Sequence, residues 1–168
     1  MVSLKKNQSG FTIVELLIVI VIIGILAGLV ISTFVGVQQK ARNSERQTDI
    51  NTISGQLEAY YAKNSGYPTL ANINSLTWRN ANEIKVGDAS KALADPSKPE
   101  TDEASRVLVG TTTAGKYVYT TTPASCVSPT DSSGAATASG TFCTGYVLTA
   151  TYEDNKSPHD TYVKNSAN

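Results

Sequence analysis

The sequence predicts an α+β protein, with one long N-terminal helix whose second half packs on a small antiparallel sheet. Three observations predict it. Residues 11–37 are almost wholly apolar. In the next stretch, up to about Lys63, the apolar residues recur at helical spacing. The last third carries short alternating runs, Lys116–Thr121 and Gly145–Tyr152.

Composition bounds the function. The chain has 168 residues, with 14 Lys and Arg against 14 Asp and Glu. A formal net charge of zero gives no global basic field for nucleic acid, and no nucleic-acid site is expected. Nor is there an acidic bias toward disorder. No Walker loop, Rossmann glycine pattern or nucleophile–base arrangement rises above chance, so an enzyme is not expected and no cofactor is implied.

Residues 1–10 are short and polar, with Lys5 and Lys6. From Phe11 to Val37 the chain reads FTIVELLIVIVIIGILAGLVISTFVGV, interrupted only by Thr12, Glu15, Ser32 and Thr33 among polar residues. As a helix this stretch is roughly 40 Å long, enough to cross a bilayer core of about 30 Å. Its many Ile and Val residues disfavour a helix slightly in water, but in lipid every backbone group must pair internally. Lys5 and Lys6 favour a cytoplasmic N-terminus, although Lys40, Arg42 and Arg46 follow the run and weaken the asymmetry.

Residues 38–63 turn amphipathic. Ile50, Ile53, Leu57 and Tyr60/Tyr61 form one stripe, with Arg46, Asp49, Gln56 and Glu58 elsewhere around the wheel. Asn64-Ser65-Gly66 supplies a C-cap with glycine, and Pro68 follows. One continuous helix from about Thr12 to Lys63 is predicted. Residues 64–105 read as loop with helical pieces at 72–78 and 89–93, broken by Asp95-Pro96 and Lys98-Pro99. Strands follow at Arg106–Val109, Lys116–Thr121, Gly145–Tyr152 and, weakly, Thr161–Val163, with a hairpin turn at 111–115. The chain thus divides into residues 1–10, 11–37, 38–63 and a head of 64–168.

Cys126 and Cys143 flank a long Ser/Thr/Gly/Ala loop. An even count beyond a membrane-type segment fits a disulfide in an oxidising compartment, which places the head outside the cytoplasm. The alternative is two reduced, partly buried thiols. Two cysteines cannot close a zinc site alone, and His159 lies outside any zinc spacing. Trp78, Tyr67, Tyr117, Tyr119 and Tyr146 are read as core or sheet-face residues, and His159 as a solvated loop residue.

Glu15 is the most informative residue. A carboxylate within a transmembrane helix costs about 2.5–3.5 kcal/mol on insertion scales and usually has a partner. No Lys or Arg lies within helical reach on the apolar side. One candidate counter-charge is an α-amino group created by cutting the chain before Phe11, on this or a neighbouring subunit. The alternative is a carboxylate that reaches the headgroups from near the helix start.

The run from Lys5-Lys6 through Ser9-Gly10-Phe11-Thr12-Ile13-Val14-Glu15-Leu16-Leu17 resembles the prepilin leader and N-terminal segment of type IV pilins and type II secretion pseudopilins. In that family a short basic leader ending in Gly precedes a Phe-Thr-Leu-[Ile/Val]-Glu-Leu-like start to an apolar helix; Ile13 departs mildly from it. An ordinary secretory signal has its small-residue cleavage site after the apolar stretch. The resemblance is strong over residues 5–37. It continues weakly to Gly66-Tyr67-Pro68-Thr69, and beyond that covers architecture only.

The resemblance implies that a prepilin peptidase cuts between Gly10 and Phe11 and N-methylates Phe11, and that Glu15 pairs with the N-terminal amine of an adjacent subunit during assembly. It implies self-association into a helical fibre, with an inner-membrane assembly platform and its ATPase as partners. The precursor is expected in the plasma (inner) membrane and the product at the cell surface. Gly24, Gly28, Ser32 and Gly36 form a small-residue line suited to close helix packing, though glycine is also simply common in such helices. Many major pilins carry a proline where Ser32 sits; without one, any unwinding in the fibre would fall at Gly24–Gly28. The resemblance further allows calcium at Glu153, Asp154 and Asp160, since major pseudopilins often hold calcium in a C-terminal loop. From the residues alone no metal site is expected.

The function expected is a structural subunit of a type IV pilus serving adhesion, motility or DNA uptake. The first alternative is a pseudopilin of a secretion or competence system, which Gly66-Tyr67-Pro68-Thr69 favours. The second is a monomeric signal-anchored binding module, for which a Gly10 substitution would leave size and function unchanged.

Overall fold

A computed structural model describes residues 10–98, 105–113, 115–137, 139–153 and 160–168, apart from the side chains of Ser32, Asp88 and Ala89. Lys5, Lys6, Asp102, Glu103, Asp154 and His159 lie outside the described residues. The chain divides into two compact units, one ending at Gln38 and the other running from Gln39 to Asn168.

Helix α1 spans Ile13–Asn64, 52 residues, close to the predicted limits. In the first unit its apolar side chains are exposed all round. In the second unit it shows one buried stripe, Ile50, Ile53, Leu57 and Tyr60. The stripe extends one turn further back than the sequence reading placed it. Arg46, expected on the polar face, is 2% exposed and lies four residues before Ile50, in line with it. Tyr61 is only half-buried.

The helix ends differently from expectation. Ser65, not Gly66, takes the left-handed conformation (φ +57°). Its N–H donates to Tyr61 O at 2.7 Å, the single bond of an αL cap, while Asn64 Nδ2 donates to Tyr60 O. Gly66 is needed for another reason. A Cβ there would lie 2.7 Å from Pro129 Cγ and 3.0 Å from Phe142 Cβ, so the chain passes too close to the later loop for a side chain.

The helical piece expected around residues 72–78 is two short helices. Helix α2, Leu70–Asn74, starts at Thr69, whose hydroxyl accepts from Asn72 N–H; α3, Leu76–Ala81, starts at Ser75, whose hydroxyl accepts from Trp78 N–H. Ser75 interrupts the run because its side chain caps a new helix. A 3-10 turn covers Asp88–Leu93.

Three strands, β1 (Val118–Thr122), β2 (Gly145–Thr151) and β3 (Thr161–Asn165), form an antiparallel sheet in the order β1-β2-β3. Tyr119 opposes Leu148 and Ala150 opposes Tyr162. Tyr119, Tyr146, Leu148 and Ala150 are buried on the inner face, as the alternation of β2 predicts. They join Ile50, Ile53, Leu57, Tyr67, Ile73, Trp78, Leu93, Leu108 and Tyr117 in one core. Each such apolar side chain contributes about 1.5–3 kcal/mol by leaving water.

Among the described residues, the expected strand Arg106–Val109 is not formed, and no antiparallel pairing joins it to β1 as a hairpin would. Val109 instead meets Val118 in an isolated parallel bridge, through Val109 N–H to Tyr117 O (2.9 Å) and Tyr119 N–H to Val109 O (2.8 Å). Asn74 holds Leu108 from both sides: its Oδ1 accepts from Leu108 N–H and its Nδ2 donates to Leu108 O. Those backbone groups are therefore taken up by a side chain and cannot extend a ladder.

Candidate assembly site

Gly10 and Phe11 precede α1 and are exposed, Phe11 by 81%. The helix start is built by Thr12 and Glu15. Glu15 N–H donates to Thr12 Oγ1 (3.2 Å), while Thr12 N–H and Oγ1–H donate to Glu15 Oε2 (2.8 and 2.7 Å). This is a reciprocal capping box. The sequence reading treated Glu15 only as a charge lacking a cation and passed over the Thr-x-x-Glu spacing that signals the box. The box supplies hydrogen bonds but no positive charge. Among the described residues no ion pair reaches Glu15.

From Ile13 to Val37 the large apolar side chains are all exposed, from Val19 at 47% to Ile13 at 84%. This run is long and apolar enough to cross a membrane, by length and composition. A continuous apolar surface of this size does not stay in water; it belongs in lipid or against other apolar surface. Gly24, Gly28 and Gly36 have nothing within 4 Å of where a Cβ would lie, so they leave open notches on this surface. Ser32, between them, has no described side chain.

A second group of charges sits in the other unit. Arg46 donates from Nε and Nη2 to the two carboxylate oxygens of Asp95, both at 2.8 Å, in a buried bidentate pair. Its Nη1 donates to Asn43 Oδ1 and its Nη2 also to Glu153 Oε1. Arg42 donates from Nε and Nη2 to Glu153 at 2.6 and 2.5 Å. Burial alone would raise Asp95, but Arg46 and then Ser97 outweigh it and hold the carboxyl below its usual value. Arg42, then Arg46, hold Glu153 low. Asp49 behaves oppositely. Burial pushes it up to about 6, against the pull of the Tyr117 hydroxyl that donates to it at 2.8 Å. The sequence shows Asp95 only as part of the Asp95-Pro96 break; the fold brings it to Arg46.

Cys126 and Cys143 are joined in a disulfide, with Cα atoms 4.9 Å apart. The loop it closes meets the Gly66–Thr69 segment where Tyr67 N–H donates to Cys143 O; from β1, Tyr119 OH donates to Pro68 O of the same segment. Thr130 is the loop's anchor. Its carbonyl accepts from Asn72 Nδ2 and Trp78 Nε1, and its hydroxyl pairs with Tyr60 OH and donates to Asn82 Oδ1. Nothing in the local sequence marked Thr130.

Residues 5–31 match the model of the prokaryotic N-terminal methylation motif. The chain is 41% identical over 66 residues to type II secretion system core protein G of Dickeya chrysanthemi, covering 39% of this chain and 43% of that one. It is 43% identical over 65 residues to the protein of the same name from Aeromonas hydrophila, covering 39% and 46%. The counterpart from Escherichia coli is 36% identical over 97 residues, 54% of this chain and 67% of the relative. The chain thus spans less than half the length of the first two relatives. No solved structure matches. These names favour the pseudopilin reading over the pilus reading that the sequence put first.

Proposed function

Because the chain belongs to the family of type IV pilins and type II secretion pseudopilins, we propose that it is the structural subunit of a pseudopilus, polymerised from a membrane-stored precursor. The observation that carries this is the exposed apolar surface of α1 from Ile13 to Val37, with one carboxylate, Glu15, at its start. The lipid covers that surface in the precursor. A prepilin peptidase cuts between Gly10 and Phe11 and methylates Phe11, which leaves a cationic amine four residues before Glu15. An inner-membrane platform and its ATPase lift subunits out, and the helices then cover one another in place of lipid. Apolar burial has no preferred register. Register therefore comes from Glu15 meeting the Phe11 amine of a neighbour, and from close approach at Gly24, Gly28, Ser32 and Gly36. The role is structural, without catalysis.

The intact mass of the mature protein tests the processing. The expected species lacks residues 1–10, carries one added methyl and is two hydrogens lighter for the disulfide. A mass matching the full chain overturns the proposal. One observation favours a surface pilus instead: the disulfide-closed loop from Cys126 to Cys143, which suits a subunit exposed to proteases and flow. Electron microscopy separates the two, since a pilus gives long shed fibres and a pseudopilus does not.

A further inference from the structure

The family resemblance allows calcium at the β2–β3 connection, and Glu153 was its first expected ligand. Calcium takes six to eight oxygens at about 2.3–2.6 Å. Both oxygens of Glu153 are already taken. Oε1 accepts from Arg42 Nε (2.6 Å) and Arg46 Nη2 (2.8 Å), and Oε2 accepts from Arg42 Nη2 (2.5 Å). Two guanidinium cations therefore sit where a divalent cation would need open lone pairs, and they would repel it. The backbone is engaged as well: Glu153 N–H donates to Asn43 Oδ1 (3.2 Å), and Tyr152 N–H donates to Asp160 O (2.7 Å), closing the mouth of the connection. Gln47 Nε2 donates to the Tyr152 hydroxyl. Among the described residues, no group of three or more His, Cys, Asp or Glu is placed to hold a metal.

We propose that Arg42 and Arg46 do in this chain what a divalent cation would do, tying the mouth of the β2–β3 connection to α1 so that the head folds without calcium. The charges balance without a metal: Arg42 and Arg46 against Asp95 and Glu153. The geometry also explains why two arginines are present. They are four residues apart on α1 and so lie one turn above each other, within reach of one carboxylate. Arg46 uses its remaining edge on Asp95, which draws the segment after the 3-10 turn into the same knot. A cation bound only in the connection would not reach Asp95, whereas Arg46 joins Asp95 and Glu153. The inference concerns the head's folding and stands whether or not the chain forms a pseudopilus.

The test uses the full chain in detergent micelles and follows thermal unfolding by near-ultraviolet circular dichroism. Millimolar calcium chloride and excess EDTA are expected to give the same Tm and the same rate of proteolysis in the β2–β3 connection. A higher Tm or slower cleavage with calcium overturns the proposal. Glu153→Gln is expected to lower Tm by several degrees, equally with calcium and with EDTA. An unchanged Tm in that variant also overturns it. If Glu153→Gln does not fold, Arg42→Lys, which keeps the charge but loses the fork, is expected to show a smaller drop, again insensitive to calcium.

Discussion

Arg46 and Glu15 are both charges set in apolar stretches of α1, and the chain treats them in opposite ways. Arg46 falls on the buried stripe of the second unit, yet Asp95, Glu153 and Asn43 gather around it and it is 2% exposed. Glu15 falls on the exposed apolar surface of the first unit and, among the described residues, has only Thr12, which supplies hydrogen bonds and no cation. A charge that finds its counter-ion inside the chain belongs to folding. On the proposed function, a charge left without one among the described residues is kept for another molecule. Mutations should therefore separate the two positions by which property they change.

The largest loss of stability is expected at Arg46. Arg46→Ala leaves Asp95 buried with no cation, and removing one partner of a buried pair costs about 3–5 kcal/mol. Urea unfolding of the full chain in detergent should show this as a lower midpoint at unchanged slope. If Arg46→Ala is tolerated, Asp95 has another partner and the contrast with Glu15 is lost. Next comes the disulfide. Cys126 and Cys143 are 17 residues apart, and closing a loop of that size is worth about 3 kcal/mol in the chain-entropy model. A Cys126→Ser, Cys143→Ser double variant should lose roughly that amount. Its loss should be independent of Arg46, since the two share no partner, so the combined variant tests additivity.

A smaller effect is expected from Gly66→Ala. The added methyl would overlap Pro129, and overpacking typically costs about 1–3 kcal/mol. A pH series gives the next step down. The raised Asp49 carboxyl binds its proton more tightly in the folded chain, so its contribution is favourable at low pH and is lost as pH rises through about 6. Asp95 and Glu153, held low, act in reverse: their stabilisation is present at neutral pH and is lost as pH falls below the ordinary carboxylate range. Asp49→Asn should therefore raise the Tm at pH 8 and change it little at pH 4, while the wild-type chain still loses stability in acid.

Part of this contrast was legible in the sequence. The limits of α1 follow from periodicity and from Pro68, and the inner face of β2 from strict alternation at Tyr146, Leu148 and Ala150. The disulfide was expected from an even count of two cysteines beyond a membrane-type segment. Glu15 stood out because nothing nearby could neutralise it. What could not be read was any choice among distant partners. Arg46 looks like a surface charge until Asp95 and Glu153, 49 and 107 residues away, are brought to it. Val109 looks like the first strand of a hairpin until Asn74 takes the backbone groups of Leu108. The capping box at Thr12 and Glu15 was legible and was missed because the charge of Glu15 drew attention from its spacing.

That box makes possible the sharpest test of the comparison, and the one with the smallest expected change in stability. Glutamine serves at the third helical position of a capping box as well as glutamate does. Glu15→Gln therefore keeps the helix start and removes only the charge. The unfolding free energy of the head in urea should stay within about 0.5 kcal/mol of wild type, as for an exposed substitution far from the core. Assembly, followed by chemical cross-linking between subunits and sedimentation, should nevertheless be lost, because the Phe11 amine of the next subunit has no anion to meet. Glu15→Asp keeps the charge but shortens the reach and should assemble in part. Normal assembly of Glu15→Gln would mean that the carboxylate is only a helix cap, and then Glu15, like Arg46, would belong to folding.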